Sequence, residues 1–161
     1  MSNEPFADYL NYLITSLVNK TTFVNDPDNV IIGETADVLG KPDDFFPRLE
    51  TLITKMKDDG YIDQRMMDQS FRFSIMGYIR REEESTTSDD MFSLIKFARE
   101  CKKIVYESNS DRANGDSPCD GFMQVGGFTE VFLEYEQIPK HSAFLLEAEV
   151  EIQLADTYTN N

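Results

Sequence analysis

Residues 143–154 read Ala143-Phe144-Leu145-Leu146-Glu147-Ala148-Glu149-Val150-Glu151-Ile152-Gln153-Leu154, and their alternation decides the fold. Phe144, Leu146, Ala148, Val150, Ile152 and Leu154 share one face of a strand; Glu147, Glu149, Glu151 and Gln153 share the other. Strand side chains alternate with a period of two, so one face is a core wall and the other an acidic surface. Residues 71–81 repeat the pattern, with Phe71, Phe73, Ile75, Gly77 and Ile79 set against Arg72, Ser74, Met76, Tyr78 and Arg80. Two long half-buried strands imply a sheet with one packed face, which amphipathic helices must cover.

Two helices are readable. Pro5 opens the first, with Ser2 or Asn3 as N-cap and Glu4 at its positive end. Phe6, Tyr9, Leu10, Leu13, Ile14 and Leu17 give it an apolar stripe at three-four spacing. The second begins at Thr87 or Ser88, carries Asp89 and Asp90 in its first turn, and places Lys102 and Lys103 near its end. Its buried stripe is Met91, Leu94, Ile95, Ala98, Cys101 and Val105, widened by Phe92 and Phe97.

Working outward, residues 25–29 read as a turn, and Val30-Ile31-Ile32 as a short buried strand stopped by Gly33. Residues 34–47, with Gly40, Pro42 and Pro47, form an irregular connection that Phe45-Phe46 anchors, unless those rings serve an interface. Arg48–Met56 is a strand and residues 57–60 a turn, while residues 61–70 either extend the strands or loop out. Residues 82–88 form an acidic loop, and residues 108–121 a long loop of Asn, Ser, Asp, Gly and Pro. Phe122–Glu136 is a strand broken or bulged at Gly126-Gly127, joined by a tight turn through His141 to the last strand, before a polar tail at residues 156–161. The expected architecture is a single α+β domain over residues 1–161, a mostly antiparallel sheet packed by two amphipathic helices.

With 30 Asp+Glu against 15 Lys+Arg, the net charge is −15. A general basic surface for nucleic acid is excluded, because neutralising phosphates needs Lys and Arg. The acidity serves solubility, or serves to repel or imitate DNA. Cys101 falls on the apolar side of the second helix and Cys119 in a loop, so no disulfide framework is expected and synthesis in a reducing compartment is. The acidic MSNEPFADYL start predicts no signal peptide, and no apolar run approaches the ~18 residues of a membrane span.

Searches for chemistry return little. Residues 111–116 hold oxygen donors near Gly115 but lack the alternating ligands and final Glu of a calcium loop. One His and two separated Cys give no zinc spacing, and His141, expected as an exposed turn residue, has no nucleophile beside it. No catalytic, metal or cofactor residues are assigned, and an enzyme is not expected. The informative surface is acidic: Glu147, Glu149 and Glu151, which Glu130, Glu134 and Glu136 of the neighbouring strand would extend.

Taken as a whole, the order of elements resembles that of tail terminators and related neck or minor tail proteins of long-tailed bacteriophages. The likeness covers an N-terminal helix (Phe6–Val18), a strand after a Pro-containing connection (Arg48–Met56) and a strand ending in basic residues (Phe71–Arg81). A polar loop leading to an Asp-capped helix (Asp89–Tyr106), a long loop and a terminal hairpin (Phe122–Leu154) complete it. It is a likeness of layout, without a signature motif. It implies a homo-oligomeric ring, favouring a hexamer, that caps the tail tube, meets tail tube and head–tail connector proteins, and passes DNA through its channel without specific binding. The product would reside in the virion after synthesis in the host cytoplasm. Under this resemblance, Glu82, Glu83 and Glu84 or Glu147, Glu149 and Glu151 form an acidic channel or partner face. Phe45, Phe46 and Phe132 contribute to subunit contacts. An acidic DNA mimic that inhibits a nuclease or restriction system, or another head–tail connector component, fits the composition as well.

Overall fold

Pro5 presets a helical φ at a position where the N–H that proline lacks would have had no helical partner. Helix α1 accordingly runs Pro5–Lys20 in the computed structural model, which describes residues 5–33, 45–61, 66–81, 87–113, 122–135 and 140–155. Tyr9, Leu13 and Leu17, at four-residue spacing, are fully buried on one side of it. Asp26 then caps a short 3-10 turn, Pro27–Asn29, by accepting the Asp28 N–H at 3.0 Å. Strand β1 (Val30–Ile32) follows and ends at Gly33, whose φ of 128° suits glycine alone. Only Val30 of this strand is buried, and Ile32 is exposed.

Strands β2 (Arg48–Tyr61) and β3 (Met66–Arg80) pair antiparallel and are longer than composition suggests. Residues 57–60, expected to turn the chain, instead lie inside β2, with Lys57 opposite Ser70, Asp58 opposite Gln69 and Gly60 opposite Asp68. The register slips between Asp58 and Gly60, so the Asp-Asp-Gly run serves an irregularity within a ladder that continues to the Tyr61–Met67 pair. The uncertain span 61–70 therefore extends both strands at its two ends.

Helix α2 (Thr87–Ala113) also outruns expectation, taking residues 108–113 from what reads as loop. Ser and Asn are poor helix formers because their side chains compete for backbone groups. Here those side chains are engaged elsewhere. Ser108 is fully buried, with its hydroxyl 3.4 Å from that of Tyr9. The Asn109 carboxamide accepts the Val125 N–H at 2.9 Å and donates to the Val125 carbonyl at 3.1 Å, stapling the helix to β4 (Phe122–Tyr135). Tertiary partners override local propensity.

Strand β5 (His141–Ala155) inserts between β3 and β4, giving the order β1-β2-β3-β5-β4; only the β1–β2 pair is parallel. The expected α+β domain with a mostly antiparallel sheet is what forms. The core joins Leu13, Leu17, Leu94 and Phe97 of the helices to Phe71, Phe73, Ile75, Phe144, Leu146 and Val150 of the sheet. Both helices therefore cover the same face. The rings of Phe97 and Phe144 meet edge-on at 5.1 Å between centroids, and Phe144 lies over its cross-strand partner Gly77. A Cβ on Gly77 would sit 2.1 Å from that ring, so the glycine makes room for the phenyl group. At the edge of this layer, the Arg81 Nε donates to Asp90 at 3.1 Å, a buried pair tying the end of β3 to the first turn of α2.

Candidate interaction surface

The outer face of the sheet is built by the residues that alternate with the core. On β5 these are Ala143, Leu145, Glu147, Glu149 and Glu151; on β3 they are Tyr78, Met76, Ser74, Arg72 and Ser70, each directly opposite. Among the described residues, no helix packs on this side.

The face has two unlike ends. At one, Phe46, Tyr78 and Ala143 are buried together, with Phe45 and Met76 against them. The Arg48 guanidinium stacks over the Phe45 ring at 4.4 Å and donates to the buried Glu50 carboxylate at 3.1 Å. His141, expected in an exposed turn, is instead 2% exposed at the start of β5, its ring 5.8 Å from that of Phe46 and 6.1 Å from that of Tyr78. The β-ladder reaches back to Arg80, opposite His141, and so draws the histidine under the aromatics.

At the other end stand the carboxylates. Arg72 donates to Glu149 at 3.4 Å in a largely exposed pair, worth little in water. Glu147 and Glu151 have no ion-pair partner among the described residues. The register corrects one expectation here. Glu130 pairs with Leu146 and Glu134 with Ser142, so both lie on the helix-side face; Glu136 falls outside the described residues. The residues that do flank the acidic row from β4 are Thr129, opposite Glu147, and Gly126, opposite Glu149. Between them the ladder bulges at Gly127, whose φ is 64°. Two side-chain-free positions beside two carboxylates leave a depression of about 300 Å³ lined by Gly126, Gly127, Glu149 and Glu151.

A second surface lies on α2. Phe92, Lys96, Arg99, Lys103 and Tyr106 recur at steps of four, three, four and three, and all five are exposed. Phe92 is 62% and Tyr106 57% exposed, although α2's apolar stripe reads as if Phe92 belonged to the core. At 100° per residue this seam points directly away from the buried line of Leu94, Phe97, Cys101 and Val105. The neighbouring acids are occupied. Glu107 holds Lys20 at 3.1 Å and Glu130 holds Lys102 at 3.0 Å. Burial works to raise the Glu100 carboxyl, but hydrogen bonds from Thr22, Thr21 and Phe23 outweigh it and hold the group below its ordinary range. Lys96, Arg99 and Lys103 thus have no carboxylate partner among the described residues. Arg99, Lys102, Lys103, Tyr106 and Glu107 line a shallow groove of about 400 Å³. The seam's spacing was present in the sequence; counting only the apolar residues of α2 concealed it.

Glu82, Glu83 and Glu84 lie outside the described residues. Phe45, Phe46 and Phe132 all pack within the subunit, Phe46 being buried and Phe132 resting against the main core. Cys101 is fully buried, which pushes its thiol up. Among the described residues, no three His, Cys, Asp or Glu side chains gather as a metal site, and no helix is long and apolar enough to cross a membrane. Neither the protein-family models nor the curated proteins compared with the chain match it.

Proposed function

We propose that this protein is a structural subunit of a long-tailed phage virion, a tail terminator that forms a ring on the end of the tail tube and presents the surface to which the head attaches. The observation that carries the reading is a sheet that, among the described residues, its own helices cover on one face only, with Glu147, Glu149 and Glu151 in a row on the other. Such a face suits a subunit completed by assembly, and the net charge of −15 suits a ring through which a polyanion must pass without sticking. The reading also rests on the resemblance of the element order in the sequence to that of tail terminators.

The acidic DNA-mimic reading has less support, because Arg72 interrupts the carboxylate face and Glu130 and Glu134 turn to its other side. The test is light scattering with negative-stain imaging, in solution and with polymerising tail tubes. Rings, and tubes that stop growing with a ring at the tip, support the terminator. Tubes that grow past the protein, together with inhibition of a nuclease by a persistent monomer, overturn it.

A further inference from the structure

We infer that the exposed seam of α2 docks on the acidic outer sheet face of a second copy of this chain, forming a head-to-tail contact. The inference rests on the ring-assembly reading and names the surfaces that would build the ring. Three observations point to this occupant.

The first is charge. Lys96, Arg99 and Lys103 are exposed cations with no partner among the described residues, and half-buried Glu147 and exposed Glu151 are carboxylates with no ion-pair partner among them. They lie on opposite sides of one molecule, so they cannot satisfy one another within it. A second α2 is a poor occupant of the seam, because antiparallel pairing would set Arg99 against Arg99 and Lys96 against Lys103. Like charges so placed repel.

The second is length. Lys96 to Lys103 spans ~10 Å along a helix, and Glu147 to Glu151 ~13 Å along a strand. Each row continues into apolar surface on the same line. Phe92 and Tyr106 flank the cations, while Leu145, half-exposed, and Val131, 47% exposed, adjoin the carboxylates. An aromatic end of the seam over Leu145 and Val131 sets the cations over the acids.

The third is shape. The depression at the Gly126-Gly127 bulge has carboxylates on its wall and room for the end of a long side chain. Lys103 or Arg99 is of that kind. The docked helix would give the sheet a second covering layer, as the subunit's own helices cover the first. Because two different surfaces meet, the contact repeats, and it closes into a ring when the rotation allows.

The experiment uses two double variants of the full chain, Arg99→Glu with Lys103→Glu and Glu147→Lys with Glu151→Lys, each checked for folding by circular dichroism. Each alone should weaken self-association on the order of tenfold or more, and wild-type association should fall as salt rises. Mixed one to one, the variants should associate again, since each then meets an opposite charge. Rings that persist in both variants overturn this contact and leave the terminator reading intact. A wild type that caps tubes yet stays monomeric in solution does the same. A monomer that retains a DNA duplex through Arg99 and Lys103 overturns it in favour of a nucleic-acid site. Tubes that grow unchecked count against the ring reading itself.

Discussion

From Phe144 to Glu151, the two faces of strand β5 differ in everything except the backbone they share. Phe144, Leu146, Ala148 and Val150 are all 1% exposed or less, whereas their alternating neighbours Leu145, Glu147, Glu149 and Glu151 are half-buried or exposed. Burial of apolar surface contributes roughly 25 cal/mol per Å², and exposed charge contributes little to folding. Over that span one face therefore holds the domain together and the other is free to be shaped by what it meets, while at His141 and Ala143 the outer face is buried too. Stability and recognition sit one residue apart along the same strand.

The hardest blow to that contrast comes from truncating a core ring. Phe144→Ala should cost about 3–5 kcal/mol in urea unfolding, while Glu151→Gln should stay within about 0.5 kcal/mol. Comparable losses would erase the distinction between the faces. Gly77→Ala tests how tightly the covered face is packed: a methyl group meeting the Phe144 ring should cost about 1–3 kcal/mol through overpacking. A neutral result would mean that the ring has another place to go. The smallest effect has the opposite sign. Thr51 is fully buried on the covered face, and its hydroxyl has no hydrogen-bond partner among the described residues. Thr51→Val should therefore raise the unfolding midpoint, by about 1 kcal/mol in free energy. A loss would show that the hydroxyl is satisfied in solution.

What could be read from the sequence follows from the same contrast. The period-two runs at 71–81 and 143–154 declare their faces because alternation is local, and the three-four stripe of α1 does so for the same reason. Register is not local. That Thr129, and not Phe128, stands opposite Glu147, and that Glu130 turns to the helix side opposite Leu146, depends on a single extra residue at the Gly127 bulge. The continuation of α2 through Ser108 and Asn109 depends on Tyr9 and Val125, which lie far away along the chain. The burial of His141 depends on Phe46 and Tyr78 arriving from two other segments. The acidic row was legible residue by residue; its neighbours, and the cationic seam on the far side of the molecule, became meaningful only when both were placed on one body.

The position of β5 between β3 and β4 has a consequence for biosynthesis. Residues 122–135 leave the ribosome before the strand they pair with, and β3 keeps an unpaired edge until residues 141–155 follow. Through that interval Phe71, Phe73 and the apolar side of α2 lack the wall supplied by Phe144, Leu146 and Val150. An unfinished sheet edge of this kind is where one nascent chain can join its sheet to that of a neighbour on the same polysome.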